Sequence, residues 1–185
     1  QYDTGFTLLP GKYVLKFLAR DAETGRLGTF QTNFTVPNLN KEQQRVPISS
    51  VVLSSQKMDL NDAVFTAKKD TALSVNPMVE NGQKLMPSVT RVFSRSKELY
   101  VYLQAYQIGE SGTSAVAAYV SLFNEQGKVS ETPPVALSLE AAAKKKVFPL
   151  RFTVPLASLP EGEYTCQITV LDPAGNKASF WQSGI

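Results

Sequence analysis

The chain has 185 residues, 43% of them hydrophobic and 19% charged, with a formal net charge of +3 and no histidine. That length holds one large or two small domains with a real core, and the low charged fraction favours a β protein. Without histidine there is no Ser-His-Asp or Cys-His triad and no His-ligated zinc. A single cysteine leaves no intrachain disulfide framework, and weak, scattered positive charge gives no footprint for nucleic acid.

No apolar run reaches the roughly 18 residues of a membrane span, so no membrane insertion is expected. The sequence opens on Gln1 in mid-pattern, as a processed or excised piece would. Three strands are predicted near Gly5–Leu8, Lys12–Arg20 and Gly28–Val36. Three strands cannot bury a sandwich core alone, so residues 1–37 read as the closing strands of a second similar module, truncated or appended. Residues 38–47 are polar, end in proline and read as a linker.

Residues 48–185 read as an immunoglobulin-like antiparallel β-sandwich, and the whole chain as all-β. "ISSVVLSS" (48–55) is its first predicted strand. Residues 56–88 read as irregular, with short strands only near Val64–Thr66 and Ala72–Val75. "ELYVYLQAYQ" (98–107) is the strongest strand, with Leu99, Val101, Leu103 and Ala105 on one face and Tyr100, Tyr102, Gln104 and Tyr106 on the other. "AVAAYVSLFNEQGKVS" (115–130) reads as a long strand with a turn at Asn124–Gly127. Val135, Leu137 and Leu139 alternate like a strand, while Glu140–Lys146 favours helix. "VFPLRFTVPL" (147–156) carries two prolines and reads as an edge or bulged strand.

"EGEYTCQITVLD" (161–172) has a counterpart near the N-terminus, about 150 residues earlier. Tyr13 matches Tyr164, each followed eight residues later by an aspartate, Asp21 or Asp172. Turn glycines Gly25 and Gly175 follow, each with an aromatic five residues on, Phe30 or Phe180. Each copy predicts a hairpin whose tyrosine forms a tyrosine corner, bonding backbone where the chain enters the penultimate strand. Cys166 aligns with Leu15 and reads as a small buried hydrophobe.

"LLPGKYVLKFLARDAETGRLGTFQTNFTVPNL", "LMPSVTRVFSRSKELYVYLQAY" and "ITVLDPAGNKASFW" together resemble the C-terminal β-rich region of acidobacterial VWFA-related (von Willebrand factor type A-related) proteins. The resemblance covers most of the chain and implies an exported protein, extracellular, cell-surface or periplasmic, with a von Willebrand-type domain upstream. That domain's Asp-x-Ser-x-Ser metal motif occurs nowhere here, and "DTALS" (Asp70–Ser74) has the wrong spacing.

Among candidate sites, Asp59, Asn61 and Asp62 offer three oxygen side chains in four residues, a fragment of a calcium site or simply a turn. Tyr100, Tyr102 and Tyr106 are the candidate interaction surface if exposed, and part of a doubly buried strand if not. Lys144–Lys146 reads as a solvated loop or helix end. No catalytic residue, resident metal or cofactor is assigned. The expected function is a non-catalytic structural or adhesion module, acting as a spacer or as a domain that binds a protein partner or the upstream domain. The alternatives are a carbohydrate- or ligand-binding sandwich with an exposed aromatic face, or a carboxylate-based hydrolase. Unpaired strand edges in residues 1–37 allow a homodimer.

Overall fold

In a computed structural model the chain is all-β, and residues 6–42, 44–59, 76–106, 116–137 and 147–185 are described. The only helical turn among them is a 3-10 turn at Leu39–Lys41. Strands run β1 (Gly11–Arg20), β2 (Leu27–Val36), β3 (Val52–Ser54), β4 (Lys57–Asp59), β5 (Val79–Glu80) and β6 (Gln83–Leu85). They continue as β7 (Glu98–Tyr106), β8 (Val116–Asn124), β9 (Gly127–Glu131), β10 (Val135–Leu137), β11 (Val147–Pro155), β12 (Thr165–Asp172) and β13 (Lys177–Gly184). All pairings are antiparallel.

Two sheets enclose one core in a sandwich-like arrangement. One has the order β10–β8–β12–β13, with β9 also on β8; the other is β11–β7–β3. Period-two alternation turns Leu99, Val101, Leu103 and Ala105 of β7 and Phe148, Leu150, Phe152 and Val154 of β11 inward. They meet Val116, Ala118, Val120 and Leu122 of β8 and Cys166, Ile168 and Val170 of β12. Strands β9 and β10 are one edge split at Thr132-Pro133-Pro134, where Val120 N–H donates to the Thr132 hydroxyl at 3.0 Å. The prolines lack the donors that an unbroken strand would need. Strand β11, with Pro149 and Pro155, pairs only with β7 among the described residues, in keeping with the edge or bulged strand expected there.

The predicted linker reaches into this core. Val46 is buried among the core side chains, its carbonyl accepts from the Ser179 hydroxyl, and the Pro47 carbonyl accepts from Tyr106 N–H at 2.9 Å.

Residues 56–88 depart from the irregular segment expected there, because a third sheet, β4–β6–β5, lies within them. Its tight turn is Asn81-Gly82, with φ of 50° and 75°. Two successive positive φ values between paired Glu80 and Gln83 make a two-residue hairpin loop, for which Asn-Gly is the favoured pair. The predicted strands at Val64–Thr66 and Ala72–Val75 lie outside the described residues. No ladder forms at residues 6–8, where the first strand was predicted.

Strands β1 and β2 pair only with each other among the described residues. From Val14↔Asn33 to Arg20↔Leu27 their register repeats that of β12 and β13 with 151 added to each number. Leu15↔Thr32 becomes Cys166↔Ser183, Phe17↔Phe30 becomes Ile168↔Trp181, and Arg20↔Leu27 becomes Leu171↔Ala178. This corrects the alignment of the turns by one residue. The counterpart of Gly25 (φ 70°) is Asn176 (φ 50°), not Gly175, because the shared requirement is a left-handed backbone. Phe30 correspondingly matches Trp181 rather than Phe180.

Candidate functional site

Both hairpins are built by the same three local devices. The Tyr13 hydroxyl donates to the Leu9 carbonyl at 2.7 Å, and the Tyr164 hydroxyl donates to the Pro160 carbonyl at 2.8 Å. Asp21 Oδ1 accepts from Thr24 N–H at 3.1 Å, and Asp172 Oδ1 accepts from Gly175 N–H at 2.9 Å. The third device is the positive φ at Gly25 and Asn176. The backbone donors of Thr24 and Glu23 hold the Asp21 carboxyl below the usual carboxylate range. Turn chemistry accounts for this aspartate.

The predicted tyrosine surface lies on the outer face of sheet β11–β7–β3, where β4–β6–β5 flanks it. Tyr102 is only 4% exposed, while Tyr100 and Tyr106 are half-buried. Register places Arg151 directly across from Tyr102, and its guanidinium sits 5.0 Å from the ring centre. Arg151 also bridges to Glu80 at 3.1 Å and donates to the Pro77 carbonyl at 3.0 Å, tying the small sheet to β11. Lys57 of β4 covers Tyr100 at 4.2 Å. Two tyrosines are thus each capped by a cation, one supplied by the flanking sheet.

A cleft of about 200 Å³ remains beside them, bordered by Lys57, Glu80, Tyr100, Tyr102 and Arg151. Burial pushes the Tyr102 phenol above its ordinary value, with the Arg151 charge and the nearby Gln104 amide pulling it back in part. Tyr102 Oη is buried with no hydrogen-bond partner among the described residues, and the Gln104 carboxamide oxygen accepts from Tyr106 at 3.0 Å. Sequence reasoning found the tyrosines but missed Lys57, Glu80 and Arg151. The Asn81-Gly82 dipeptide was the available signal, since it folds the strand that carries Glu80 over the sheet.

Of the calcium candidates, Asp59 lies on β4 and its Oδ1 accepts from Gln83 Nε2 at 3.4 Å. Asn61, Asp62 and Lys144–Lys146 lie outside the described residues. Among the described residues no group of three or more His, Cys, Asp or Glu side chains could hold a metal ion. Glu131 is held below the usual range by Lys128 Nζ at 2.9 Å and the Ser121 hydroxyl at 2.7 Å. Glu42 is held low by the backbone donors of Gln44 and Arg45. Burial pushes the Cys166 thiol up to about 12. No long apolar helix able to cross a membrane occurs among the described residues.

No protein-family model matches the chain, and no curated protein matches it either.

Proposed function

We propose that this chain is a non-catalytic structural module of an exported bacterial protein, an immunoglobulin-like sandwich that acts as a spacer or protein-interaction domain. The observation that carries this reading is the treatment of the tyrosine stripe. A module that binds through this stripe would present those rings to solvent, whereas here Tyr102 is covered and Lys57 and Arg151 are spent on Tyr100 and Tyr102. The two hairpins of identical register add support, because repetition of a closing element is how tandem spacers are built. The resemblance to VWFA-related proteins agrees with such a role beside an upstream domain.

One observation favours a second reading, a small polar ligand in the cleft beside Tyr102. The buried Tyr102 hydroxyl would gain a hydrogen bond from such a ligand.

Thermal melts separate the readings, because a ligand of the folded state raises Tm with occupancy. They are run in chelator, in millimolar calcium and against a panel of soluble glycans. A spacer keeps the same Tm throughout. A glycan shift abolished by Tyr102→Phe replaces it with the ligand reading, and a calcium shift abolished by Asp62→Ala makes it a calcium-stiffened stalk.

A further inference from the structure

The hairpin β1–β2 carries an apolar face that nothing among the described residues covers. Under the offset of 151, the core side chains Cys166, Ile168, Val170, Trp181 and Ile185 become Leu15, Phe17, Ala19, Phe30 and Phe34. The first set faces the sandwich core. In the second, Phe17 is 46% exposed and Phe30 61%. The opposite face alternates Lys12, Lys16 and Arg20 with Val14 and Leu18, so the aromatic side chains are confined to one side. The exchanges between copies also compensate in volume. Leucine for cysteine and phenylalanine for isoleucine add bulk, while alanine for valine and phenylalanine for tryptophan remove it.

The second copy of the hairpin shows what such a face is built against. Strand β8 pairs along the outer edge of β12, from Thr165↔Phe123 to Leu171↔Ala117, and β7 and β11 fill the apolar side. The outer edge of β1 has no strand on it among the described residues. Two copies of this chain pressed hairpin to hairpin would not do as well. A ten-residue strand is about 33 Å long, so each two-strand face offers about 330 Å², and the pair about 650 Å², well under the roughly 1,200 Å² of a stable interface. A sandwich layer supplies both the core and the missing ladder.

We propose that β1–β2 is the closing hairpin of a second sandwich of the same design, whose remaining strands lie N-terminal to it, as β3–β11 precede β12. A β8-like strand pairs with the outer edge of β1, and an apolar sheet covers Leu15, Phe17, Phe30 and Phe34. This deepens the spacer reading and rests on it: the protein is a tandem array with a spacing of 151 residues.

The test is a hairpin transplant within the 185-residue chain, residues 13–34 replacing residues 164–185. The transplant is expected to melt cooperatively as a monomer. A control insert of residues 12–33, which turns every side chain to the other face, loses the transition. A transplant no more cooperative than the control overturns the proposal. A second measurement, amide hydrogen exchange, compares this chain with one extended at its N-terminus. Exchange in β1–β2 is expected to slow at least about tenfold in the extended chain. Equal exchange in the two overturns the proposal. So does protection gained in residues 1–185 merely by raising concentration, which makes a second copy the occupant. Neither measurement involves the ligand melts, so failure here is distinguishable from failure of the spacer reading.

Discussion

The Tyr164 hydroxyl donates to the carbonyl of Pro160, four residues earlier, at 2.8 Å, and this bond fixes the entry of the chain into β12. Tyr13 makes the same bond to Leu9 in a hairpin whose strands pair only with each other among the described residues. Tyr164→Phe is therefore expected to cost about 1 kcal/mol and to lower the main Tm by roughly 3 °C. Tyr13→Phe leaves that transition where it is. Paired thermal melts of the two variants check this, and equal effects would show that the hairpins share one cooperative unit.

The same contrast is larger in the core. Ile168 is fully buried and its counterpart Phe17 is 46% exposed. Ile168→Ala should cost about 2–5 kcal/mol in urea unfolding, and Phe17→Ala less than about 0.5 kcal/mol.

Cys166 gives the sandwich an alkaline weakness. Its thiol is pushed from 9.0 to about 12 by burial, so above pH 9 the unfolded state loses a proton that the folded state keeps. Stability from this group is complete below pH 9 and falls as pH rises towards 12, by up to about 1.4 kcal/mol per pH unit. Denaturant titrations at pH 8 and pH 10.5 should show a steeper loss in the native chain than in Cys166→Ala. The native thiol should also resist labelling until the protein unfolds.

Arg151 holds the small sheet against the sandwich through Glu80, the Pro77 carbonyl and the Tyr102 ring. The ion pair is partly exposed and contributes at most about 1 kcal/mol by itself. Glu80→Gln should accordingly cost less than about 1 kcal/mol. Arg151→Ala, which also uncovers the ring, should cost about 1–2 kcal/mol and open Tyr102 to nitration. Equal costs for the two variants would mean the ion pair is the whole link.

Local chemistry was legible in the sequence, and placement was not. The tyrosine and aspartate of each hairpin could be matched because their bonds reach only three or four residues along the chain. The alternation of "ELYVYLQAY" correctly separated the core face from the tyrosine face. Matching glycine to glycine sets the two turns one residue out of register. The physical requirement is a positive φ, which Asn176 meets as well as Gly25. The sheet β4–β6–β5 is not legible from periodicity because strands of two or three residues carry no usable period, although Asn81-Gly82 marks its turn. The covering of Tyr102 depends on Arg151, 49 residues away in sequence and reached only through the β7–β11 register.

Residue-resolved amide hydrogen exchange on the 185-residue chain is the most direct measurement. The amides of β12 and β13 should exchange with the global unfolding of the sandwich, while those of β1 and β2 exchange in a separate, faster step that Ile168→Ala does not alter. Protection of β1–β2 equal to that of β12–β13, falling with it in Ile168→Ala, would contradict a hairpin that repeats the closing element without sharing its core.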